Sequence, residues 1–268
     1  MTLFLLGTIK KNLFLVVFMQ ENIAHKDFSK MILELNQVSK TFPDGTEALK
    51  NISFSLNQGD FCIIGGSNGS GKSVLMSLIA KLEKPSSGKI TAPFAGLVFQ
   101  EADSQILGET PLEDVCYSLA NFGLKPAAAK EKALDFLEKV GLKEKAEANA
   151  RTLSGGEKRR LAVASVLALE PEIIIFDEPF ANLDWLSVKQ LCNLLQELKK
   201  QGKTIILLTH EIEKILGIAT RFLILSKGNL VFDGSPEDGI KTDLEKYGIK
   251  NPLVEYKTVE NLFWGDTL

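Results

Sequence analysis

Hydrophobic and polar residues follow two different periods along the chain, which separate predicted strands from predicted helices. Residues 31–64 alternate in short pieces, with Ile52, Phe54 and Leu56 on one face, and this predicts an antiparallel β layer. Compact apolar runs have the length and branched composition of buried parallel strands. They are Phe61–Ile64, Ile173–Asp177, Thr204–Thr209 and Phe222–Ser226, and a turn after the last leads into a short pairing strand, Leu230–Phe232.

Helical signals lie between these predicted strands. Lys72–Ile79 and Pro126–Val140 predict helices, the second with proline in its first turn and Gly141 after its end. Residues 101–152 are mainly helical in pattern and interrupt the series of strands. The whole order predicts an α/β fold with a parallel-sheet core, an antiparallel β subdomain and an inserted helical subdomain.

Composition limits the classes of function. A chain of 268 residues can bury one substantial core. Its formal charge of −3 combines interspersed acids and bases, so we expect no nucleic-acid partner. The three cysteines, Cys62, Cys116 and Cys192, lack disulfide or metal spacing, which favours reduced thiols. Cys62 lies in an apolar strand and is predicted to be a small core residue.

The first 30 residues have several possible interpretations. Lys10 and Lys11 interrupt the apolar stretch and leave Leu13–Met19, well short of the roughly 20 residues that span a bilayer. No small-residue cleavage site marks a signal peptide. Translation could begin at Met31, directly before the first predicted strand, or the segment could be a membrane-surface anchor. We expect residues 1–30 to be a dispensable extension.

Residues Gly66–Ser73 read GSNGSGKS between a predicted strand and a predicted helix. This order predicts a P-loop that binds nucleotide phosphates, although an ordinary Gly/Ser turn is the alternative. The glycines let backbone N–H groups point inward at phosphate oxygens, Lys72 adds a charge, and Ser73 offers a hydroxyl to Mg²⁺. The residues predicted to bind the nucleotide are Gly66, Ser67, Asn68, Gly69, Ser70, Gly71, Lys72 and Ser73.

A second constellation follows downstream. Leu153–Glu157 reads LSGGE, opens a basic predicted helix over Lys158–Leu169, and precedes a buried strand ending in Asp177 and Glu178. Ligands of open α/β sheets bind at the carboxyl ends of such strands. LSGGE also fits a helix N-cap, with Ser154 as the cap and Glu157 as the acid of a capping box. The two interpretations are compatible, because a capped helix start also attracts anions.

Together these motifs resemble ATP-binding cassette (ABC) ATPases, over Met31 to about Asp238. The resemblance implies a P-loop NTPase fold of the ABC ATPase domain type and hydrolysis of ATP with Mg²⁺. It implies that Asp177 holds Mg²⁺ through water and that Glu178 orients and deprotonates the attacking water. It also implies a dimer in which the signature loop reaches the γ-phosphate on the other chain's P-loop, through Ser154, Gly155, Gly156 and Glu157.

Further positions match the same family in the same order. Gln100 matches a glutamine that touches Mg²⁺ and water, although alone it could be a surface amide. Ala181–Asp184 matches a loop at the dimer interface, with Asn182 where several relatives have glycine. His210 matches a histidine on the γ-phosphate, and Phe42 an aromatic stacked on adenine, with a core phenylalanine as the alternative. The implied catalytic residues are Glu178, His210, Lys72 and Gln100; the implied metal ligands are Ser73, Gln100 and Asp177; Asp184 is an implied nucleotide contact.

A local pattern narrows the resemblance. Glu101–Leu107, Glu113-Asp114-Val115 and Asn121–Leu124 are similar to the ATPases of energy-coupling factor (ECF) importers, as is the lead-in Phe42–Leu49. In those proteins a Gln-x-x-Asp-x-Gln stretch forms a groove for coupling helices of the transmembrane partner. Here Glu101-Ala102 replaces their common Asn-Pro, and Gln105 could instead lie on an ordinary helix surface.

The resemblance therefore implies an ATPase that drives import of a vitamin or transition-metal ion. It would form a homodimer, or a heterodimer with a paralogous ATPase, bound to integral membrane subunits at the cytoplasmic face of the cell membrane. Residues 239–268 would be a short C-terminal tail. The alternatives are the ATPase of a conventional ABC importer or exporter, and a soluble ABC ATPase acting on DNA or ribosomes. The second usually has a coiled-coil insertion, a second cassette or a basic face, and none is visible in the sequence.

Overall fold

The computed structural model describes residues 31–253, in which strands and helices are interspersed. The strands are β1 Met31–Thr41, β2 Glu47–Asn57, β3 Phe61–Gly65, β4 Ser87–Thr91, β5 Ala95–Val98, β6 Ile173–Asp177, β7 Thr204–Leu208, β8 Arg221–Ser226 and β9 Asn229–Gly234. The helices are α1 Lys72–Ile79, α2 Pro111–Asn121, α3 Pro126–Lys139, α4 Gly155–Leu167, α5 Trp185–Lys200 and α6 Pro236–Gly239. The predicted extension, residues 1–30, lies outside the described residues.

A six-stranded sheet forms the centre, in the order β5-β6-β7-β3-β8-β9. Its first five strands are parallel, and β9 pairs antiparallel with β8. The four apolar runs of the sequence are β3, β6, β7 and β8, and the predicted pairing strand is β9. The parallel core is therefore confirmed.

A second sheet is antiparallel, in the order β2-β1-β4. Ile52, Phe54 and Leu56 are all buried, which confirms the predicted apolar face of β2. The hydrophobic pattern did not predict β4, because this edge strand reads SGKIT and buries none of its residues fully. It forms because it pairs with β1, so tertiary contacts and not its own sequence determine the strand.

The central sheet has a core on each face, because successive side chains of a strand point to opposite sides. Ile174 and Phe176 belong to the cluster that includes the buried faces of α2, α3, α4 and α5. Ile173 and Ile175 belong to the cluster shared with α1 and the antiparallel sheet. The parallel strands are thus buried on both faces, and a polar site can form where these strands end.

Residues 101–152 form the predicted helical insertion. They contain a short 3₁₀ turn over Ala102–Ser104, then α2 and α3, then further short turns. Gln105 follows the 3₁₀ turn, so it does not lie on the surface of an α-helix. Helix α4 begins at Gly155, three residues earlier than the predicted Lys158, because Ser154 caps it.

The packed unit continues past Asp238. Leu244 and Ile249 are buried in the same cluster as the central strands. A Cβ on Gly248 would lie 2.9 Å from Cβ of Ser67, so this segment packs directly beneath the P-loop. Cys62 is buried as predicted, and all three cysteines are free thiols. Within residues 31–253, no helix is both long and apolar enough to cross a bilayer.

Candidate nucleotide-binding site

Four adjacent strands of the central sheet, β5, β6, β7 and β3, end at one edge. Val98 is paired with Phe176, and Leu208 is level with both Asp177 and Ile64. The residues that follow these ends are therefore brought together. They are Gln100, Glu178, His210 and the P-loop from Gly66, as the sequence predicts.

The P-loop backbone requires glycine at two close approaches. Gly66 has φ 142°, and a Cβ there would lie 2.2 Å from the carbonyl oxygen of Leu225. Gly71 has φ 109°, and its Cβ would lie 2.7 Å from the carbonyl oxygen of Ala48. Strand β8 and the start of β2 therefore hold the loop tightly, and helix α1 begins at Lys72, directly after Gly71. The free N–H groups of this helix start form an anion site.

Lys72 is buried at the mouth of the loop. Its Nζ donates to the carbonyl oxygens of Gly66 at 2.6 Å and Ser67 at 3.1 Å, and lies 3.8 Å from Oε1 of Glu178. Burial lowers the pKa of Lys72, and the Glu178 and Asp177 carboxylates oppose that shift. The ammonium group is thus held in place by the loop it would serve.

Asp177 and Ser73 provide a pair of oxygen ligands. The Ser73 hydroxyl donates to Oδ2 of Asp177 at 3.4 Å. Burial, and next the charge of Glu178, raise the pKa of Asp177, whereas Ser73, Lys72 and Arg159 act in the opposite direction. A hydroxyl and a carboxylate are ligands that Mg²⁺ accepts alongside phosphate oxygens and water.

Glu178 is held in an unusual conformation. Its φ is 41°, its N–H donates to the carbonyl of Leu208 at 2.9 Å, and the residue is 7% exposed. Oε1 lies 3.1 Å from Nδ1 of His210, whereas Oε2 is buried with no hydrogen-bond partner among the described residues. A buried carboxylate oxygen without a partner can accept a proton from a bound water.

The residues fit a nucleotide with Mg²⁺. The hydroxyl of Ser70 and Oε2 of Glu178 are buried without partners in the described part of the chain. Within residues 31–253, no cluster of three or more His, Cys, Asp or Glu side chains could hold a metal ion. A divalent ion beside Ser73 and Asp177 would therefore need phosphate oxygens and water, which suits Mg²⁺ carried by a nucleotide.

Phe42 and Gln100 lie at the margins of this site. Phe42 follows β1, is half-buried, and belongs to neither core cluster, so the core alternative is not supported. Nζ of Lys40 lies 5.2 Å from its ring centroid. Gln100 is exposed, and its backbone carbonyl accepts a hydrogen bond from Arg159. Adenine stacking on Phe42 and metal contact by Gln100 stay predictions.

The LSGGE segment forms the predicted capping box. Glu157 N–H donates to Oγ of Ser154 at 3.3 Å, and Ser154 N–H donates to Oε2 of Glu157 at 2.9 Å. Lys145 is 2.6 Å from Glu157 and lowers its pKa, together with the bond from Ser154 N–H. No hydrogen bond or ion pair between described residues joins this cap to the P-loop of the same chain. Ser154, Gly155, Gly156 and Glu157 are therefore not part of the P-loop cluster.

The predicted interface loop lies against this cap instead. A Cβ on Gly156 would be 2.2 Å from Oγ of Ser187, and one on Gly155 would be 3.9 Å from the carbonyl of Asn182. Asp184 caps α5 by accepting from Ser187 N–H at 2.7 Å, and that bond lowers the pKa of Asp184. Asn182 has φ 60°, a conformation that asparagine tolerates, so it can replace the glycine of relatives.

The sequence analysis did not predict that three residues near the site hold the backbone in place. Gln105 donates to the carbonyl of Leu97 at 2.8 Å and accepts from Phe99 N–H at 3.0 Å. Asp114 and Arg159 are buried and polar, and both bind the chain that follows β5. For Asp114 and Arg159 the available signal was a charged residue within a predicted helix next to apolar positions, and Gln105 offered no such signal.

A P-loop after a central parallel strand, with an Asp-Glu pair ending a strand two places away, defines a P-loop nucleoside triphosphatase. The profile of the family described as ABC transporter matches residues 49–181. The energy-coupling factor transporter ATP-binding protein EcfA of Methanosphaera stadtmanae is 35% identical over 230 residues, covering 80% of this chain and 82% of that protein.

Two solved structures are also similar. CbiO1 of Clostridium perfringens, described as part of the ABC transporter complex CbiONQ, has a TM-score of 0.73 at 30% identity, covering 81% of this chain and 93% of that one. The ATP-binding cassette MJ0796, a dimer in a post-hydrolysis state bound to ADP and Pi, has a TM-score of 0.69 at 28% identity, covering 76% and 99%. The chain belongs to the ABC transporter family, as one of its ATP-hydrolysing, ATP-binding proteins.

Proposed function

We propose that this chain pairs with a second ATPase chain, sandwiches two Mg²⁺-ATP molecules, and powers an ECF-type importer for a vitamin or a transition-metal ion. It would act at the cytoplasmic face of the cell membrane, bound to integral membrane subunits. The observation that carries the proposal is the segment Glu101–Leu107, which presents four exposed side chains and follows directly after the glutamine of the nucleotide site. The similarity to EcfA and to CbiO1 supports the transporter class.

The side chains divide the chemistry among them. Lys72 exchanges its hydrogen bonds to the loop carbonyls for bonds to β- and γ-phosphate oxygens. Its positive charge then offsets the negative charge of the phosphates. Ser73, Asp177 and Gln100 would hold Mg²⁺, which neutralises charge that develops on the phosphate oxygens. Glu178 accepts the proton of the attacking water at its unpartnered Oε2, while His210 orients Oε1. The reaction class is in-line phosphoryl transfer to water.

The exposed surface formed by the LSGGE segment and the start of α5 supports the presence of a second chain. Ser154 and Gly155 are exposed, and the adjoining start of α5 presents Trp185 at 81% and Leu186 at 62% exposure. Large exposed apolar side chains beside a helix N-terminus suit a protein interface. We assign this surface to the P-loop face of the second chain.

Trp185→Ser is expected to weaken ATP-dependent dimerisation about tenfold or more, the scale of losing a central aromatic contact. Sedimentation in the analytical ultracentrifuge measures the dissociation constant of the dimer, with ATP present and with the variants made in a hydrolysis-deficient chain. Tyr117→Ser is the matched control, because Tyr117 is also aromatic and 44% exposed but lies on α2. Equal dimer affinity in wild type and Trp185→Ser would remove this surface from the interface.

The segment Glu101–Leu107 is suited to a membrane partner in only some of its residues. Glu101, Asp103, Ser104 and Leu107 are exposed, whereas Ala102 is buried and Ile106 packs on the core. A bulky change at Ala102 would therefore disturb folding as well as docking. Glu101 and Leu107 are the positions at which docking can be tested cleanly.

Glu101→Lys and Leu107→Glu are expected to lower ATP-driven uptake about tenfold or more while the ATPase rate of the isolated chain stays within about threefold, because misplaced charge at an interface costs several kcal/mol. Uptake is measured in vesicles containing the chain and its membrane subunits. Glu131→Lys, an exposed change on α3, is the control. Variants that transport normally, or that lose ATP affinity instead, would contradict a docking role.

A further inference from the structure

Arg159 makes an uncommon contact with the backbone that carries Gln100. It lies in α4, is 4% exposed, and sends its two terminal nitrogens to adjacent carbonyls. Nη1 donates to Phe99 and Nη2 donates to Gln100. The planar fork of a guanidinium matches two acceptors side by side, which a lysine ammonium cannot reproduce.

Packing alone does not account for a guanidinium at this position. Burial lowers the pKa of Arg159, and its Nε is buried without a partner in the described part of the chain. A buried cation is costly unless its hydrogen bonds compensate, and an apolar residue would join α4 to the core more easily. The two carbonyl contacts are the interactions that the charge provides here.

The same stretch of chain is fastened at three further points. Gln105 bonds back to Leu97 and Phe99, closing the turn that follows β5. Lys158, the neighbour of Arg159, pairs with Asp103 at 2.6 Å. Asp114 accepts from Leu107 and Gly108 N–H groups and from the hydroxyl of Ser165 on α4. The Gln100 backbone is therefore fixed while its exposed side chain stays free to reach a ligand.

We propose that Arg159 is a positioning residue, which sets the placement of the Gln100 side chain for hydrolysis by holding the carbonyls of Phe99 and Gln100. This inference rests on the proposed function, in which Gln100 touches Mg²⁺ and the attacking water. A displacement of about 1 Å at such a group is sufficient to slow a reaction substantially. Arg159 acts through these carbonyls, because its side chain is buried and both terminal nitrogens are bonded to them.

Arg159→Lys tests the fork, because it keeps the positive charge beside Asp177 and removes the paired donors. We expect kcat for ATP to fall about tenfold with KM within about threefold, since only the reacting geometry is altered. Hydrogen exchange in residues 97–108 should become faster. Arg160→Lys is the matched control: the same change at the next residue, whose Nη1 bonds to Gln190 on α5.

A double-mutant cycle with Gln100→Ala separates positioning from a general structural role. Once Gln100 is truncated, Arg159→Lys should cost less than about twofold more. An undiminished loss in that background, or wild-type kcat in Arg159→Lys, would overturn the inference. Arg159→Gln, which buries no unpaired charge, replaces the lysine variant if that variant does not fold. Loss of fold in both would also overturn it. Failure of the Gln100 role on which the inference rests is distinguishable, because Gln100→Ala alone would then keep the wild-type kcat.

Discussion

Glu178→Gln is expected to retain ATP binding and to hydrolyse ATP slower by roughly two orders of magnitude or more, the scale of losing a positioned general base. The amide is nearly isosteric, so the backbone at φ 41° and the contact with His210 are retained. It cannot accept the proton of the attacking water. Steady-state phosphate release measures the rate, and calorimetry measures ATP binding.

The same variant should accumulate an ATP-bound dimer, because the charge of Glu178 no longer opposes the γ-phosphate. Light scattering after size exclusion reports the dimer. Glu172→Gln is the control, since Glu172 precedes the opposite end of β6 and is exposed. Turnover of Glu178→Gln near the wild-type rate would show that another group activates the water.

Lys72→Ala and Ser154→Arg are each expected to abolish hydrolysis in homodimers, and an equal mixture is expected to recover about a quarter of wild-type activity. Each composite site takes Lys72 from one chain and Ser154 from the other. A mixed dimer therefore has one doubly defective site and one intact site, and half of the dimers are mixed. The measurement is phosphate release across a titration of one variant with the other.

A dimer whose two sites must fire together would stay silent in this mixture, so a crosslink decides the geometry. Ser67→Cys and Gly155→Cys are suitable, because Ser67 is exposed and the nearest atom to a Cβ on Gly155 is 3.9 Å away. Gly156 is unsuitable, since its Cβ would collide with Ser187. ATP should produce a covalent dimer in a background without Cys116 and Cys192. Crosslinks confined to single chains would exclude the sandwich.

The sequence was sufficient wherever a local pattern corresponds to a local structure. The P-loop, the strand before Asp177 and the capping box at Ser154 each depend on residues within about ten positions, and all three are present. Helix α1 has the predicted bounds, Lys72–Ile79. The order of the strands then placed Gln100, Glu178 and His210 at one edge.

The remainder depends on contacts that no local pattern contains. Strand β4 forms because β1 pairs with it, although its own sequence is weakly apolar. Arg159 reaches carbonyls 59 and 60 residues earlier in the chain, so only the folded molecule reveals its partners. The backbone conformation at Asn182 likewise explains, after the fact, why asparagine fits there. Which residues meet across an interface between two chains depends on contacts between those chains, and a local sequence pattern does not contain them.

The segment beneath the P-loop has a practical consequence for shortening this chain. Leu244 and Ile249 contribute to the core, and a Cβ on Gly65 would lie 2.7 Å from Cδ1 of Ile249. Emptying a buried leucine or isoleucine site typically costs about 2–5 kcal/mol. A fragment ending at the last residue of α6 would therefore leave a hole under the phosphate-binding turn. A cloning boundary for crystallisation therefore belongs after Ile249, so that both core residues are retained.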